Sequence, residues 1–408
     1  MPLVVQKFGG TCLESPEQIK LTAEIIRDAS KKGDELVVVV SAMGETTDQL
    51  FQLAKTISTN PPSREMDMLL SAGERISMAL LSMALAELGV PAISFTGSQV
   101  GLITDRRHRS ARILRILGDR IEAELRLKKV VIVAGFQGVS ESKDVTTLGR
   151  GGSDTTAVAL AARLEAVRCE IYTDVAGVFS ADPRIVDNAK IIDSVSPTSM
   201  LRFSHAGASV LHPRSVELAE RFGVPVWIGS QSEPSKGSWM SEQRKPGESE
   251  AIESTRVLGV SIGVSQFYLT VSSAKPEFLR DAYREFLSKV ESGGCILMHC
   301  NKDALAFQAL VDQADCPTFL AELSEVFENN KEFVFSGSAD LVPVTVVGSR
   351  LDEAGVLFEQ EIESLMKQGV DIRRTWIEPE QFRALVVRDD AAKVLKHLHD
   401  RFIGDEIS

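Results

Sequence analysis

The stretch Leu148-Gly149-Arg150-Gly151-Gly152-Ser153-Asp154-Thr155-Thr156 runs straight into an apolar segment, residues 157–166, that has helical periodicity. Its glycines permit positive φ angles and a close approach of the backbone to a ligand. Ser153, Asp154 and Thr155 can each cap a helix, whose first N–H groups and positive dipole end would attract an anion. Arg150 adds a planar guanidinium suited to a carboxylate or phosphate. Alone, the stretch predicts either an anion site or an ordinary capped loop, and the surrounding segments decide between them.

The composition is that of a cytoplasmic globular protein. The 408 residues predict two or three domains, and the net charge of −12 argues against nucleic-acid or anionic-membrane partners. No apolar run reaches the length of a membrane span, and a strand begins almost at once without the basic region of a secretory leader. The five scattered cysteines predict no disulfide framework. Cys295, His299 and Cys300 lie in an alternating apolar segment, which favours a buried strand over a metal site, so we expect no metal ligands.

The first 230 residues alternate between strand and helix patterns. Short apolar runs predict strands at residues 3–8, 36–40, 92–95, 130–134, 169–173 and 225–229. Ser15-Pro16-Glu17 predicts a helix start, with an N-cap, a proline in the first turn and an acid beside it. Such alternation predicts an α/β fold, an open and mostly parallel sheet sandwiched by helices. Ligands bind at the carboxyl ends of the strands in such folds, where the glycine-rich segments after residues 8, 40 and 134 fall.

A polar, turn-rich segment at residues 232–250 marks a boundary, and the pattern changes after it. Strands are predicted at 257–264, 267–272, 296–300, 305–311, 343–348, 372–377 and 382–387, and helices at 277–290, 319–327, 357–368 and 391–402. These elements form two βαββαβ-like modules, an approximate internal repeat of small α+β units. The predicted domains are therefore residues 1–245, 257–335 and 338–408, unless the modules are interleaved and 257–264 belongs to the second.

The familiar nucleotide-binding motifs are absent from this sequence: it has no P-loop, no Gly-x-Gly-x-x-Gly after the first strand and no eukaryotic-type kinase signature. Lys7, however, stands at the end of a predicted strand and is followed by Gly9 and Gly10. A lysine there can meet phosphate oxygens as a point charge, with glycine N–H groups beside it. By itself, Lys7 is more typical of a solvated strand end.

Residues 7–10 and 149–154 together resemble the aspartokinase family of the amino-acid-kinase fold. Other segments resemble that family in order and spacing over residues 3–230, and they are Ser41–Gly44, Thr46–Asp48, Leu70–Glu74, Val133–Gly138, Tyr172–Val178, Ala181–Arg184 and Gly207–Pro213. The two C-terminal modules resemble the ACT domains that this family carries. Each segment is a weak signal, but the ordered set is specific.

The resemblance implies ATP-dependent phosphorylation of the side-chain carboxylate of L-aspartate, giving 4-phospho-L-aspartate at the head of lysine, threonine and methionine biosynthesis. A carboxylate with a pKa near 4 is already ionised at neutral pH, so no general base is needed. The obstacle is bringing an anion to a triphosphate, and cations with aligned N–H dipoles overcome it. ATP and Mg²⁺ are therefore the implied cofactors.

The resemblance also implies roles for individual residues. The catalytic pair is Lys7 and Asp154, with Asp154 orienting Lys7 or the substrate ammonium, either directly or through the metal. The expected substrate-binding residues are Ser41, Thr47, Glu74, Arg150, Gly151, Gly152 and Ser153, with Arg150 on a carboxylate and Glu74 on the ammonium. The expected nucleotide-binding residues are Lys7, Gly9, Gly10, Thr173, Asp174, Phe179 and Arg184. Outside the family context, Glu74 is typical of a solvated or helix-capping acid, and His212-Pro213 is structural in either interpretation.

Two departures from the family pattern affect these expectations. Ser209 stands where the family usually has a nucleotide-contacting lysine, and Lys236 is a candidate replacement. The segments 273–277 and 374–379 differ from the usual effector-binding loops of the modules, so feedback inhibition by lysine or threonine is a hypothesis. The alternative to effector binding is that the two modules serve mainly as the interface of a homodimer. The competing functions are a kinase for another acidic amino acid, such as glutamate or N-acetylglutamate, and a non-catalytic amino-acid sensor.

Overall fold

The computed structural model describes residues 1–208, 210–241, 256–273, 275, 284, 295–301, 306–312 and 333–404. Contacts divide these residues into two compact units. The first contains Met1–Phe179, Lys190–Ser204 and residues 210–241. The second contains Ser180–Ala189, His205–Ala208 and the described residues from 256 onward. Ser209 and the predicted helices at 277–290 and 319–327 lie outside the described residues, apart from residue 284.

An eight-stranded sheet forms the centre of the first unit, in the order β10-β12-β11-β9-β1-β2-β6-β3. Its strands are β1 (Leu3–Phe8), β2 (Glu35–Val40), β3 (Ala92–Phe95), β6 (Val130–Ala134), β9 (Arg168–Thr173), β10 (Ser194–Val195), β11 (Val226–Ser230) and β12 (Ser238–Met240). From β11 to β3 all neighbours are parallel, and β12 runs antiparallel to β11. The predicted open and mostly parallel sheet is confirmed.

Helices cover both faces of this sheet. They are α1 (Pro16–Lys31), α2 (Thr46–Ile57), α3 (Ser63–Leu70), α4 (Ala72–Glu87), α5 (Asp119–Arg126), α6 (Gly152–Arg163), α7 (Pro197–His205) and α8 (Pro213–Phe222). Helix α1 begins as predicted, because the Ser15 side chain accepts a hydrogen bond from Gln18 N at 3.2 Å. Side chains alternate along β1, so Val4 and Phe8 pack in the core beneath α1 and α4. Lys7 therefore lies on the opposite face, where α6 packs against β1.

A second, smaller sheet was not predicted from the sequence. It has four strands in the order β5-β4-β7-β8, namely β4 (Leu102–Thr104), β5 (Ile113–Ile116), β7 (Gln137–Ser140) and β8 (Val145–Thr147). Strand β8 leads directly into the glycine-rich stretch and α6. The small sheet therefore determines how the chain approaches that stretch.

The second unit is built on a sheet whose main path is β15-β16-β14-β17-β19-β18, with β13 paired to β17. Its elements are β13 (Arg256–Ile262), β14 (Gln266–Ser273), β15 (Cys295–Asn301), β16 (Ala306–Asp312), β17 (Phe333–Ser349), β18 (Ile372–Glu378), β19 (Gln381–Val387), α9 (Gly355–Lys367) and α10 (Ala391–His399). The first half of β17 pairs with β14 and the second half with β13 and β19. One long strand thus joins the two predicted modules into one sheet, with β13 beside the second.

The core of the second unit includes residues from the middle of the chain. Ala181 and Val186 are buried with Val344, Phe358 and Leu398, among others. His399 Nε2 lies 3.0 Å from Ser180 Oγ, and both residues are buried. The segment Ser180–Ala189 is therefore part of this unit, although the sequence predicted a first domain running without interruption from residue 1 to 245.

One helical stretch of the described chain, Ser63–Glu87, is long and apolar enough to pass a membrane-span test by length and composition. Buried core helices of soluble proteins pass the same test. In this structure the stretch is divided into α3 and α4, and its polar residues Asp67 and Glu74 are buried inside the first unit.

Candidate active site

The carboxyl ends of four adjacent strands meet at one edge of the large sheet. Strands β9, β1, β2 and β6 are mutually parallel, so the segments that follow Thr173, Phe8, Val40 and Ala134 lie side by side. Hydrogen bonds tie these segments together: Ser41 N donates to Phe8 O at 3.1 Å, and Gly135 N donates to Val40 O at 3.0 Å. This is the edge where open α/β sheets bind ligands.

Lys7 and Asp154 form an ion pair at this edge. Lys7 Nζ lies 2.7 Å from Asp154 Oδ1, and their side chains are only 11% and 13% exposed. Strand β1 supplies the lysine and the first turn of α6 supplies the aspartate, so two elements separated by nearly 150 residues converge on one charge pair. Little water screens a pair this buried, and removing one partner of a buried pair costs about 3–5 kcal/mol.

Gly9 and Gly10 give the backbone a close approach to its neighbours. A Cβ at Gly9 would lie 3.6 Å from Lys7 Nζ, and one at Gly10 would lie 3.0 Å from both Ala42 O and Gly44 O. Gly9 N donates to Tyr172 O at 3.0 Å, so its N–H group is already bonded within the protein. The contribution of Gly9 to an anion site is therefore the space beside Lys7 rather than a hydrogen-bond donor.

The glycine-rich stretch adopts the conformation that its glycines permit. Gly149 and Gly151 have φ angles of 80° and 67°, a region that disfavours residues with a Cβ. Helix α6 begins at Gly152 with Gly151 as its N-cap, so the prediction that Ser153, Asp154 or Thr155 caps it is wrong. The left-handed turn at Gly151 starts the helix earlier, which places Asp154 in the first turn against Lys7. Ser153 packs against Gly135, where a Cβ would meet Ser153 Oγ at 2.8 Å.

Arg150 is exposed and lies between Gly149 and Gly151. Across the described part of the chain, its guanidinium forms no ion pair or hydrogen bond. An unengaged arginine next to a helix start is available to an anionic ligand.

Glu74 is the buried acid of the edge. It lies in the first turn of α4, is 3% exposed, and its Oε1 accepts a hydrogen bond from Ala42 N at 3.2 Å. Its Oε2 has no hydrogen-bond partner within the described chain. Burial raises the pKa of Glu74 to about 7, against the opposing effect of backbone hydrogen bonds from Glu74 and Ala42. A cation beside Oε2 would supply the missing partner.

Ser41 and Thr47 lie in the chain segment after β2, which contacts Glu74 through Ala42 N. Both are partly exposed, and Thr47 lies in the first turn of α2. A Cβ at Gly73 would meet Ala42 Cβ at 2.7 Å, so α4 packs directly onto this segment. The hydroxyl groups and the acid therefore come from two elements in contact.

The predicted nucleotide residues Thr173 and Asp174 stand at the end of β9. Thr173 Oγ1 donates to Asp174 Oδ1 at 2.9 Å, and both residues line a cavity of about 180 Å³ with Thr11, Ser230 and Ser232, among others. Phe179 is partly buried and forms an isolated bridge with Ile191.

Arg184 belongs to the second unit, where its exposed guanidinium pairs with Asp182 at 2.7 Å. Lys236, the candidate replacement for the missing lysine, is 61% exposed and pairs with Glu233 at 2.9 Å. His212 caps α8 by accepting from Arg214 N at 3.3 Å, in keeping with its predicted structural role.

Among the described residues, no group of three or more potential metal ligands is preformed. Mg²⁺ rarely needs such a cage, since one or two carboxylates plus substrate phosphates suffice. The exposed Asp174 carboxylate, beside the cavity at the end of β9, fits that requirement.

Sequence reasoning missed two charged residues next to the glycine-rich stretch. Asp67 on α3 is fully buried and accepts hydrogen bonds from Thr147 Oγ1 and Arg109 N. Arg214 on α8 donates to the carbonyl oxygens of Leu148 and Ala111. Their partners lie far away in the chain, so no local pattern could reveal them.

The chain is similar to known enzymes of one family. Residues 2–230 match the sequence model of the amino acid kinase family. The chain is 38% identical over 410 residues to the aspartokinase of Bacillus sp. (strain MGA3), covering 98% of this chain and 97% of that protein. Two crystal structures of E. coli aspartokinase III share the fold at 23% identity. The complex with aspartate and ADP (R-state) has a TM-score of 0.82 and covers 99% of this chain and 100% of that one. The complex with lysine and aspartate (T-state) has a TM-score of 0.72 and covers 98% and 99%. The chain belongs to the aspartokinases, enzymes of the amino acid kinase family.

Proposed function

We propose that this aspartate kinase transfers the γ-phosphoryl group of ATP to the side-chain carboxylate of L-aspartate and releases 4-phospho-L-aspartate and ADP. A carboxylate oxygen attacks the γ-phosphorus, the bond to the bridging oxygen breaks, and ADP leaves with that electron pair. No proton is removed from the nucleophile, because the carboxylate is already ionised at neutral pH. The reaction requires positioning and charge neutralisation, which this edge of the sheet supplies.

The observation that carries the proposal is the buried acid Glu74 with one unpaired oxygen. The α-ammonium group of an unmodified amino acid supplies the cation that this oxygen lacks. Arg150 pairs with a substrate carboxylate, and Ser41 and Thr47 add hydroxyl contacts. An N-acetylated amino acid has no ammonium group and would leave Glu74 without a partner, so this rival substrate is disfavoured.

On the nucleotide side, Lys7 meets the phosphates and Asp154 holds its ammonium in place. Gly9 leaves room for the phosphates beside Lys7, and Gly10 lets its loop pack against Ala42 and Gly44. Gly151 and Ser153 at the start of α6 add N–H groups and a positive dipole end, whereas Gly152 N already donates to Gly149 O at 3.0 Å. The cavity at Thr173 and Asp174, with Phe179 further along the chain, holds the nucleoside, and a phosphate contact from Arg184 stays a prediction from the sequence. Mg²⁺ carried with ATP, near Asp174, would neutralise charge on the phosphates.

Trapping of the acyl phosphate with hydroxylamine tests the reaction. Aspartate, glutamate and N-acetylglutamate are supplied at equal concentration with ATP, and we expect hydroxamate from aspartate at a rate at least tenfold above the others. Glutamate as the preferred acceptor would replace the proposed substrate. No product with any acceptor, combined with amino-acid binding, would favour the non-catalytic sensor.

Substitution of Arg150 tests the binding assignment. Arg150→Ala should raise the KM for aspartate at least tenfold and leave the KM for ATP within twofold, because the guanidinium contacts only the amino acid. Arg126→Ala removes another exposed arginine, which lies at the end of α5 beside Leu3 and Glu35 at the amino ends of β1 and β2, and serves as the matched control. An unaltered KM for aspartate in Arg150→Ala would refute the assignment.

We further propose that the second unit binds an amino-acid effector, lysine or threonine, and joins two chains into a cytoplasmic homodimer. The shared fold with the lysine complex of the E. coli enzyme supports an effector role. Isothermal titration of each amino acid into the purified protein tests the effector, and no heat with either would refute it. Sedimentation equilibrium tests the dimer.

A further inference from the structure

Two charged residues hold the chain just before the glycine-rich turn, and neither has a side-chain hydrogen bond to a proposed substrate-binding residue within the described chain. Residues 108–111 connect β4 to β5, and residues 147–149 lead out of β8 towards Arg150. The two segments run side by side, since Ala111 N donates to Thr147 O at 2.9 Å. A Cβ at Gly149 would lie 2.9 Å from Arg109 O, so the turn sits directly against this connection.

Asp67 joins the two segments from one side. Its Oδ1 accepts from Thr147 Oγ1 at 2.6 Å and from Arg109 N at 3.0 Å. Its Oδ2 lies 2.7 Å from His108 Nδ1 and 3.2 Å from Arg109 N. The side chain has no exposed surface, so it is fully desolvated and depends on these contacts.

Arg214 joins the same two segments at the next residues, Leu148 and Ala111. Its Nη1 donates to Leu148 O at 2.9 Å and its Nη2 donates to Ala111 O at 2.8 Å. Partial burial lowers the pKa of Arg214, and the arginine makes these bonds to neutral carbonyl groups. Two residues earlier, His212 abuts the turn, because a Cβ at Gly151 would overlap His212 Cβ.

Asp67 and Arg214 hold the chain at Thr147 and Leu148, where strand β8 ends. Strand β8 stops at Thr147 and helix α6 starts at Gly152, so residues 148–151 lack the support of a strand or helix. Glycine adds to their freedom, because it loses more conformational entropy on ordering than other residues. Asp67 and Arg214 fix the residues immediately before the turn, and Arg150 projects from the turn itself.

We propose that Asp67 and Arg214 are positioning residues for aspartate binding, which set the backbone at Gly149 and thereby the place of the Arg150 guanidinium. This inference rests on the proposed role of Arg150 in holding a substrate carboxylate. A displacement of about 1 Å in a positioned group can cost on the order of 100-fold in rate. Loosening the support should therefore weaken aspartate binding and leave ATP binding at Lys7 unchanged.

Two neighbouring threonines of β8 allow a matched test. Thr147→Val removes the hydroxyl group that donates a hydrogen bond to Asp67, and Thr147→Ser keeps it. Thr146→Val removes an equally buried hydroxyl, which bonds Thr104 Oγ1 at 2.6 Å and makes no contact with Asp67. We expect Thr147→Val to raise the KM for aspartate about tenfold with the KM for ATP within twofold, and Thr147→Ser to restore most of the affinity. Thr146→Val should lower the thermal midpoint without changing the ratio of the two KM values.

Arg214→Met, which removes the donors and keeps the stem, should give the same selective loss as Thr147→Val. The decisive measurement combines Thr147→Val with Arg150→Ala. If the support acts through Arg150, the double variant should have the aspartate KM of Arg150→Ala alone. An additional tenfold loss in the double variant, or equal rises in both KM values, would overturn the inference. Failure of Arg150→Ala itself to affect aspartate binding would instead refute the proposed function.

Discussion

Glu74 is buried where an acid loses most of its hydration, and this makes protein stability depend on pH. Its pKa rises from 4.5 to about 7 on folding, because burial disfavours the charged form. The folded chain therefore binds the proton more tightly than the unfolded chain, and stability falls as pH rises between these two values. The rise in this pKa corresponds to about 3 kcal/mol. Glu74→Gln should remove this slope, which urea unfolding at pH 5, 6, 7 and 8 measures.

The same carboxyl group should couple aspartate binding to proton release. An ammonium partner requires the ionised form of Glu74. Because the pKa of Glu74 is about 7, aspartate binding at a lower pH must release a proton. The dissociation constant for aspartate should rise as pH falls below this value and stay constant above it. Titration calorimetry in buffers of different ionisation enthalpy detects the released proton. No buffer dependence at pH 6 would show that Glu74 does not face the ammonium group.

Asp154 is paired with Lys7 at 2.7 Å, so we expect it to act on the position of the lysine and not as a base. Asp154→Asn should lower kcat by roughly 100-fold, because Lys7 loses its charged partner beside the transferring phosphoryl group. The shape of the kcat profile between pH 6 and 9 should stay unchanged, since no proton leaves the nucleophile. Loss of a pH-dependent limb in the variant would indicate base catalysis instead.

At the level of single residues, the sequence predicted those that lie in the segments resembling the family. Lys7 and Asp154 each stand in a glycine-containing segment at the end or start of a regular element, and the structure pairs them. Asp67 and Arg214 stand in ordinary helical patterns, and only the folded structure gives them partners. The pKa of Glu74 depends likewise on burial, which no local pattern encodes.

Among the elements, the turn before α6 tolerates little change. Gly151 has a positive φ, and a Cβ there would overlap His212. Gly33 also has a positive φ, but a Cβ at that position would have no neighbour within 4 Å, so Gly33→Ala measures the backbone strain alone. We expect Gly33→Ala to cost about 1–2 kcal/mol of stability. Gly151→Ala should cost more and should also reduce activity, as chemical unfolding and kinetic assays would show. Equal effects of the two substitutions would contradict the proposed fit between Gly151 and His212.

Strands with continuous apolar runs were predicted within one or two residues, because burial on both faces leaves an unmistakable pattern. The short strands β4, β5, β7 and β8 have three or four residues each and too little periodicity to detect. Strand β17 was predicted only over 343–348, yet it extends over Phe333–Ser349. Asp340 has a positive φ where the register between β14 and β17 shifts, so a bulge interrupts the alternation that would have indicated one strand.

For the whole molecule, the main difference from prediction is that neither unit is one continuous stretch of the chain. The segment Ser180–Ala189 follows β9 of the first unit in sequence, but Ala181 and Val186 are buried in the core of the second. Composition placed the boundary in the polar segment at 232–250, where the chain leaves the first unit finally. Composition did not indicate that Ser180–Ala189 belongs to the second unit, because a short apolar segment has the same pattern in either core.

A fragment of residues 1–241 should therefore behave poorly, although it contains the whole match to the amino acid kinase family. It retains Ala181 and Val186 without the side chains of α9, α10 and β17 that bury them in the full chain. We expect it to aggregate or to lose secondary structure at a lower temperature than the full chain, measured by circular dichroism and light scattering. Val186→Ala in the full chain should cost roughly 2 kcal/mol, since it removes two buried methyl groups. Val167→Ala, at a half-exposed position before β9, is the control and should cost far less. A monodisperse fragment with full stability would show that Ser180–Ala189 folds independently of the second unit.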